Sequence, residues 1–146
     1  MSAGPWVLHE AFVSRLMNKE LDLDTDDIKL ALLLSTSNAA TTSVNNYASL
    51  TNEVANGNGY TTGGIVCTGE TITGGATVPF DVADVTVTAS GGTIAGIRFG
   101  VLYDNTDTNK TVIAHSILDN TPADINITDG NTLTVAIANV LVASRA

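Results

Sequence analysis

The stretch "IAGIRFGVLYDNTDTNKTVIAHSIL", Ile94 to Leu118, reads as two strands joined by a polar turn. Ile97, Phe99, Val101 and Tyr103 alternate with Arg98, Gly100 and Leu102, the period of two that sends successive side chains to opposite faces of a sheet. "DNTDTN" then supplies turn residues, and "KTVIAHSIL" brings the chain back. A hairpin of this kind makes the chain mainly β and antiparallel.

The same grammar extends on both sides. Upstream, Val78, Phe80 and Val82 share one parity while Val85 and Val87 share the other, which predicts a bend or bulge near Ala83–Asp84. "SGG" closes that run. Downstream, Ile125 and Ile127 precede "DGN", a tight-turn signal. The last run holds Leu133, Val135, Ile137 and Leu141 on one parity and Ala136, Ala138, Val140 and Val142 on the other. Read as one final strand, apolar on both faces, it belongs inside a sandwich or under a neighbouring subunit. Residues 64–142 therefore read as the strands of an antiparallel, jelly-roll-like β-sandwich.

The N-terminal part differs. Over Pro5–Lys19, Leu8, Phe12 and Leu16 fall on one line with Trp6, Val13 and Met17 beside it, while Glu10, Ser14 and Asn18 lie opposite. That spacing predicts an amphipathic helix over residues 5–19, with Pro5 in its first turn. "ELDLDTDD" leads into a first strand over residues 27–34, where Ile28, Leu30, Leu32 and Leu34 alternate. Residues 35–63, rich in Ser, Thr, Asn and Ala, read as a long loop with one short helical turn around Tyr47, Leu50 and Val54. No tandem repeat is visible.

A chain of 146 residues is expected to fold as one domain, residues 1–146, with a core that needs no staple. The hydrophobic fraction of 44% against 14% charged argues against disorder. One cysteine, Cys67, permits no intrachain disulfide and offers zinc no thiolate partner. The N-terminal "MSAGPWVLHEAF" has neither a basic leader nor a long apolar run, and no segment approaches the ~20 apolar residues of a membrane helix; a soluble protein without membrane partners is expected. The net charge of −9, with six scattered Lys and Arg residues, disfavours nucleic acid as a partner.

Chemistry is sparse. "GNGYTTGG", Gly57 to Gly64, invites a phosphate-cradle reading, but after Gly57 and Gly59 the third glycine of a dinucleotide fingerprint is replaced by Thr62, and no lysine follows as a P-loop requires. Gly57, Gly59, Gly63 and Gly64 are read as a structural turn that Tyr60 pins to the core. Asp22, Asp24, Asp26 and Asp27 resemble a calcium loop, yet an EF-hand begun at Asp22 puts Asp27 where glycine is needed and Leu33 where the bidentate Glu belongs. A solvated connection is the better reading. His115, between Ile113 and Ile117, is expected to be structural, and "HEAFV" at His9 lacks the second His of a zinc-protease motif. Cys67 in "IVCTG" has no basic neighbour to activate it and reads as a buried thiol. Glutamates Glu10, Glu20, Glu53 and Glu70 and the lone Trp6 make a poor carbohydrate site. No catalytic, cofactor or metal residue is assigned, and the "NKT" and "NIT" sequons at Asn109 and Asn126 need a secretory context that nothing here supplies.

Taken in order, "LDLDTDDIKLALL", "NGNGYTTGG", "FDVADVTVTASGGTIAGIRFGVLYDNT" and "ITDGNTLTV" resemble a group of small virion proteins of tailed bacteriophages. The likeness spans about Leu21 to Val135 and rests on turn and strand signatures. It implies a non-enzymatic structural protein, a capsid decoration or cement protein on the outer surface of the head or, alternatively, a tail or fibre component that attaches to other virion proteins or to a host surface. The implied partners are the major capsid protein and further copies of the chain, for instance in a homotrimer, after assembly in the host cytoplasm. A negatively charged surface suits the outside of a head better than its DNA-facing wall. The expected contact residues are Trp6, Phe12 and Leu16 on the helix and Val140 and Val142 on the last strand; each would equally fill the protein's own core.

Overall fold

In the computed structural model, which describes residues 2–145, the hairpin is the centre of the molecule. Its strands are β7 (Ile94–Asp104) and β8 (Val112–Ile117). On the other side of β7 lies β2 (Ile28–Leu34), paired from Ile28↔Asp104 to Leu34↔Ile97 with a bulge after Leu33. β1 (Val7–Leu8) adds to β8 and β3 (Ile65–Val66) to β2, while β9 (Ile125–Ile127) pairs the start of β7. Two smaller antiparallel sheets complete the fold. β6 (Val85–Thr88) pairs β10 (Thr132–Val135), and β5 (Thr77–Asp81) lies between β4 (Thr71–Ile72) and β11 (Leu141–Ser144).

The run "IKLALLL" is apolar at both parities because both faces of β2 are covered. Ile28, Leu30 and Leu32 join Phe80, Val85, Val87, Leu133 and Val135 in the larger core, so the small sheets and one face of the large sheet share a single apolar layer. Ala31 and Leu33 face the other way into a second cluster with Val101, Tyr103 and Val112. The long loop covers that second face. Its single 3₁₀ turn, Tyr47–Ser49, lies where a short helical turn was expected, and Tyr47 stacks on Tyr103 with ring centroids 4.3 Å apart.

The bend expected near Ala83–Asp84 is where the chain changes sheet. β6 pairs β10 in one register, and the β5–β11 register beyond it is offset by one residue, which moves the buried parity from Val85 to Val82 and Phe80. Asp84 Oδ1 accepts from the Ile137 N–H at 3.1 Å, and Asp81 accepts from the Asn139 N–H. These carboxylates satisfy backbone donors where the ladder is broken.

Four expectations need correction. Residues 5–9 are not helical: Val7–Leu8 is a strand, and Gly4 and His9 donate to the Ile117 and Ile113 carbonyls. The open edge of β8 offers backbone partners that a short first helical turn cannot match. The helix, α1, is Glu10–Met17, and its first N–H groups go to Thr42 O and Asn45 Oδ1 of the long loop. The strand expected over residues 27–34 is therefore second in chain order. The final apolar run is two strands in different sheets, split at residues 136–140, and β11 is mostly exposed. Finally, the main-sheet order β1-β8-β7-β2-β3 with two small sheets is not the paired four-stranded pattern of a jelly roll; mainly β, antiparallel, with one helix near the N-terminus is what stands.

Candidate functional site

The glycine stretch is two consecutive turns with Tyr60 between them. Gly57 and Tyr60 exchange backbone hydrogen bonds across Asn58 and Gly59, whose φ values are 53° and 91°; this is the Asn-Gly geometry of a type I′ turn. The second turn closes with Gly64 N–H on Thr61 O. Tyr60 is buried, and its hydroxyl accepts from Leu32 N–H at 3.0 Å and donates to Glu53 Oε1 at 2.6 Å. Glu53 also accepts from the Tyr47 hydroxyl and the Gly63 N–H. Burial, with Glu53 alongside, pushes the Tyr47 and Tyr60 hydroxyls far up. Glu53 thus ties together the loop's own Tyr47, Tyr60 and Gly63, and Tyr60 passes the tie to β2 through Leu32 N–H, which makes the group a structural clamp. Sequence reading found Tyr60 and missed Glu53, whose partners come from loop segments with no periodic signal.

The candidate contact residues part company. Phe12 and Val140 are 0% and 3% exposed, so both fill the chain's own core. Trp6 is half-buried over Gly100, where its Cη2 would lie 3.6 Å from an added Cβ. Leu16 is half-buried, and Val142 is 49% exposed. Leu16 lines an open apolar groove of about 490 Å³ between the end of α1 and the β4–β5–β11 sheet. Leu21, Leu23, Ile72, Phe80 and Leu141 form its floor and walls, with Lys19 and Asp22 among its polar groups. Met17, 78% exposed, belongs to the last turn of α1, and Val142 to the same small sheet.

Cys67 is 3% exposed, and burial followed by the charges of Glu70 and Asp27 pushes its thiol up to about 12. It is expected to resist thiol reagents at pH 8 in the folded protein and to react within minutes after denaturation; equal labelling rates in the two states would contradict this burial.

Two polar clusters remain. His9 and His115 face each other, Nε2 to Nδ1 at 3.0 Å, both buried, with His9 Nδ1 2.6 Å from Val44 O. At the Asp104 end of β7, the Asp22–Asp27 segment meets the β7–β8 turn. Asn105 donates through its backbone to Asp27 O and through Nδ2 to Asp27 Oδ2, and Asp27 N–H donates to Thr106 Oγ1. Asp104, 0% exposed, accepts from Thr106 and Asp107 N–H at Oδ1. Burial, together with the facing Asp26 carboxyl and against those two N–H groups, pushes Asp104 up to about 7.

Among the described residues no three His, Cys, Asp or Glu side chains converge as a metal cage, and no helix is long and apolar enough to cross a membrane. No family model, no curated protein and no solved structure matches this chain.

Proposed function

We propose that the chain is a non-enzymatic structural protein of a tailed-bacteriophage virion, a decoration or cement protein that binds the outer surface of the assembled head. The observation that carries this reading is the open groove beside α1, an apolar surface large enough to take side chains of a partner and lined in part by Ile72, which is 49% exposed. Exposed apolar surface of this kind marks contact sites. The ordered turn signatures and the net charge of −9 support a protein held outside the head. Such a protein stabilises by mass action, because it binds the assembled shell and not the dissociated subunit. The partners would be the major capsid protein and further copies of the chain, and the chemistry requires no catalytic group.

Fractionating purified virions into heads and tails tests it. The chain is expected in the heads at hundreds of copies per particle; heads without it beside tails that retain it would replace this reading with a tail or fibre role. Ile72→Asp places charge in the groove at a solvent-exposed position, so the fold is expected to hold while binding to heads that lack the protein weakens about tenfold or more. Unchanged head binding would remove the groove from the interface.

A further inference from the structure

The corner where the Asp22–Asp27 segment meets the β7–β8 turn holds a buried carboxylate oxygen with nothing to satisfy it. Asp104 is 0% exposed, and its Oδ2 is a buried side-chain oxygen without a hydrogen-bond partner. Buried polar atoms are almost always satisfied, and a carboxylate left bare in the interior is among the costliest exceptions. The Oδ1 atom of the same group already takes two backbone N–H groups, so Oδ2 is the atom left over. The carboxyl of Asp26 lies within hydrogen-bonding reach of the same Asp104 side chain.

Asp26 commits Oδ2 to the Asp22 N–H at 2.7 Å, and Asp22 Oδ1 in turn accepts from Asp24 N–H. Two carboxylates from distant parts of the chain thus meet on ordered backbone. No ammonium or guanidinium separates them: Lys110 Nζ donates instead to Asn105 O and Oδ1 at 3.2 and 2.6 Å, and Arg15 to Asn46 and Thr111. Like charges this close cannot both stay ionised without a compensating cation or a shared proton.

We propose that this corner binds a calcium ion between the carboxylates of Asp26 and Asp104. Two carboxylates with the balance made up by carbonyl oxygens and water suit Ca²⁺, which accepts six to eight oxygens in irregular geometry, better than Mg²⁺, which demands a regular octahedron. The ion would staple the Leu21–Asp27 connection to the β7–β8 turn, adding to the Asn105–Asp27 bonds that already join them. The site is unlike an EF-hand: its ligands come from a loop and the end of β7, 78 residues apart, as the Asp104–Asp26 separation gives, and the acidic run alone would not make it one.

The test uses the full chain, stripped with EDTA and dialysed at pH 7.5, with CaCl₂ or MgCl₂ added back. At a Ca²⁺ concentration about ten times the dissociation constant, the unfolding midpoint is expected to rise by about 5 °C, with a smaller rise in Mg²⁺. Asp104→Asn keeps the side-chain shape and removes the charge, so it should fold without metal and lose the Ca²⁺ response; Asp26→Asn should do the same. Calorimetric titration with Ca²⁺ is expected to give one site in the native protein and none in Asp104→Asn. A Ca²⁺ shift that survives both substitutions, a Mg²⁺ shift as large as that of Ca²⁺, or no shift and no heat in the native protein would each overturn the proposal.

Discussion

Gly64→Ala is expected to lower the unfolding midpoint by about 10 °C, the result of about 3 kcal/mol of strain and collision in a chain of this size. A Cβ at Gly64 would sit 2.5 Å from Leu30 O and 2.8 Å from Leu30 C, on the backbone of β2, with φ at +83°. Neither partner can step aside, because Leu30 belongs to a strand paired on both edges. Gly59 makes the matching contact with the other layer, where an added Cβ would meet Thr88 O at 2.2 Å. The control is Gly63→Ala, which shares a positive φ of +101° but meets nothing within 4 Å; it should cost about 1 kcal/mol from backbone strain alone. Thermal or urea unfolding of the two variants separates the two costs. Equal losses for Gly63→Ala and Gly64→Ala would mean that the turn does not press on β2.

These glycines were legible in the sequence as turns, but not as docking points, because close approach to Leu30 or Thr88 depends on strands that meet the turn only after folding. The β7–β8 hairpin was legible for the opposite reason. Its alternation and its turn residues are local, and the partner strand is the next one along the chain. The N-terminal arm misled because Trp6 and Leu8 fit a helical line as well as they fit an extended segment, and the choice was made by the free edge of β8, which lies more than a hundred residues away. The last apolar run misled because its change of parity near Ile137–Val140 mirrors the one at Val82–Val85, and a single strand cannot be told from two when both parities are apolar. Of the polar features, Tyr60 stood out in its glycine setting. Asp104 did not, since an Asp before Asn and Thr reads as an ordinary turn acid until the Asp22–Asp27 segment buries it.

Acid is expected to loosen the N-terminal arm through the His9–His115 pair. His9 Nδ1 lies 2.6 Å from Val44 O, so that nitrogen carries the proton and donates; His9 Nε2 then accepts from His115 Nδ1–H at 3.0 Å. Both rings are neutral in this arrangement, and a proton added to His9 Nε2 would face the His115 N–H. Burial, then the His9 ring beside it, pulls His115 down to about 4, and burial lowers His9 against the opposing pull of Val44, Ala39 and Glu10. A histidine held below its ordinary 6.5 binds fewer protons folded than unfolded, so folding is unpenalised above that pH and loses stability as pH falls from 6.5 towards 4. For His115 the loss comes to about 3 kcal/mol at the acid end. Asp104 titrates with the opposite sign, so the native protein alone would mix the two. The measurement is therefore the difference in unfolding free energy between the native chain and His115→Gln, followed from pH 8 to pH 4. Asp104 is common to both and cancels. The difference should stay constant above pH 7 and then move by about 3 kcal/mol in favour of the variant; a flat difference would show that the pair tolerates the extra charge. Because β1 is short and rests on β8 alone, amide exchange at Val7 and Leu8 should accelerate before the β2–β7 core does, as expected of a small unit that opens locally.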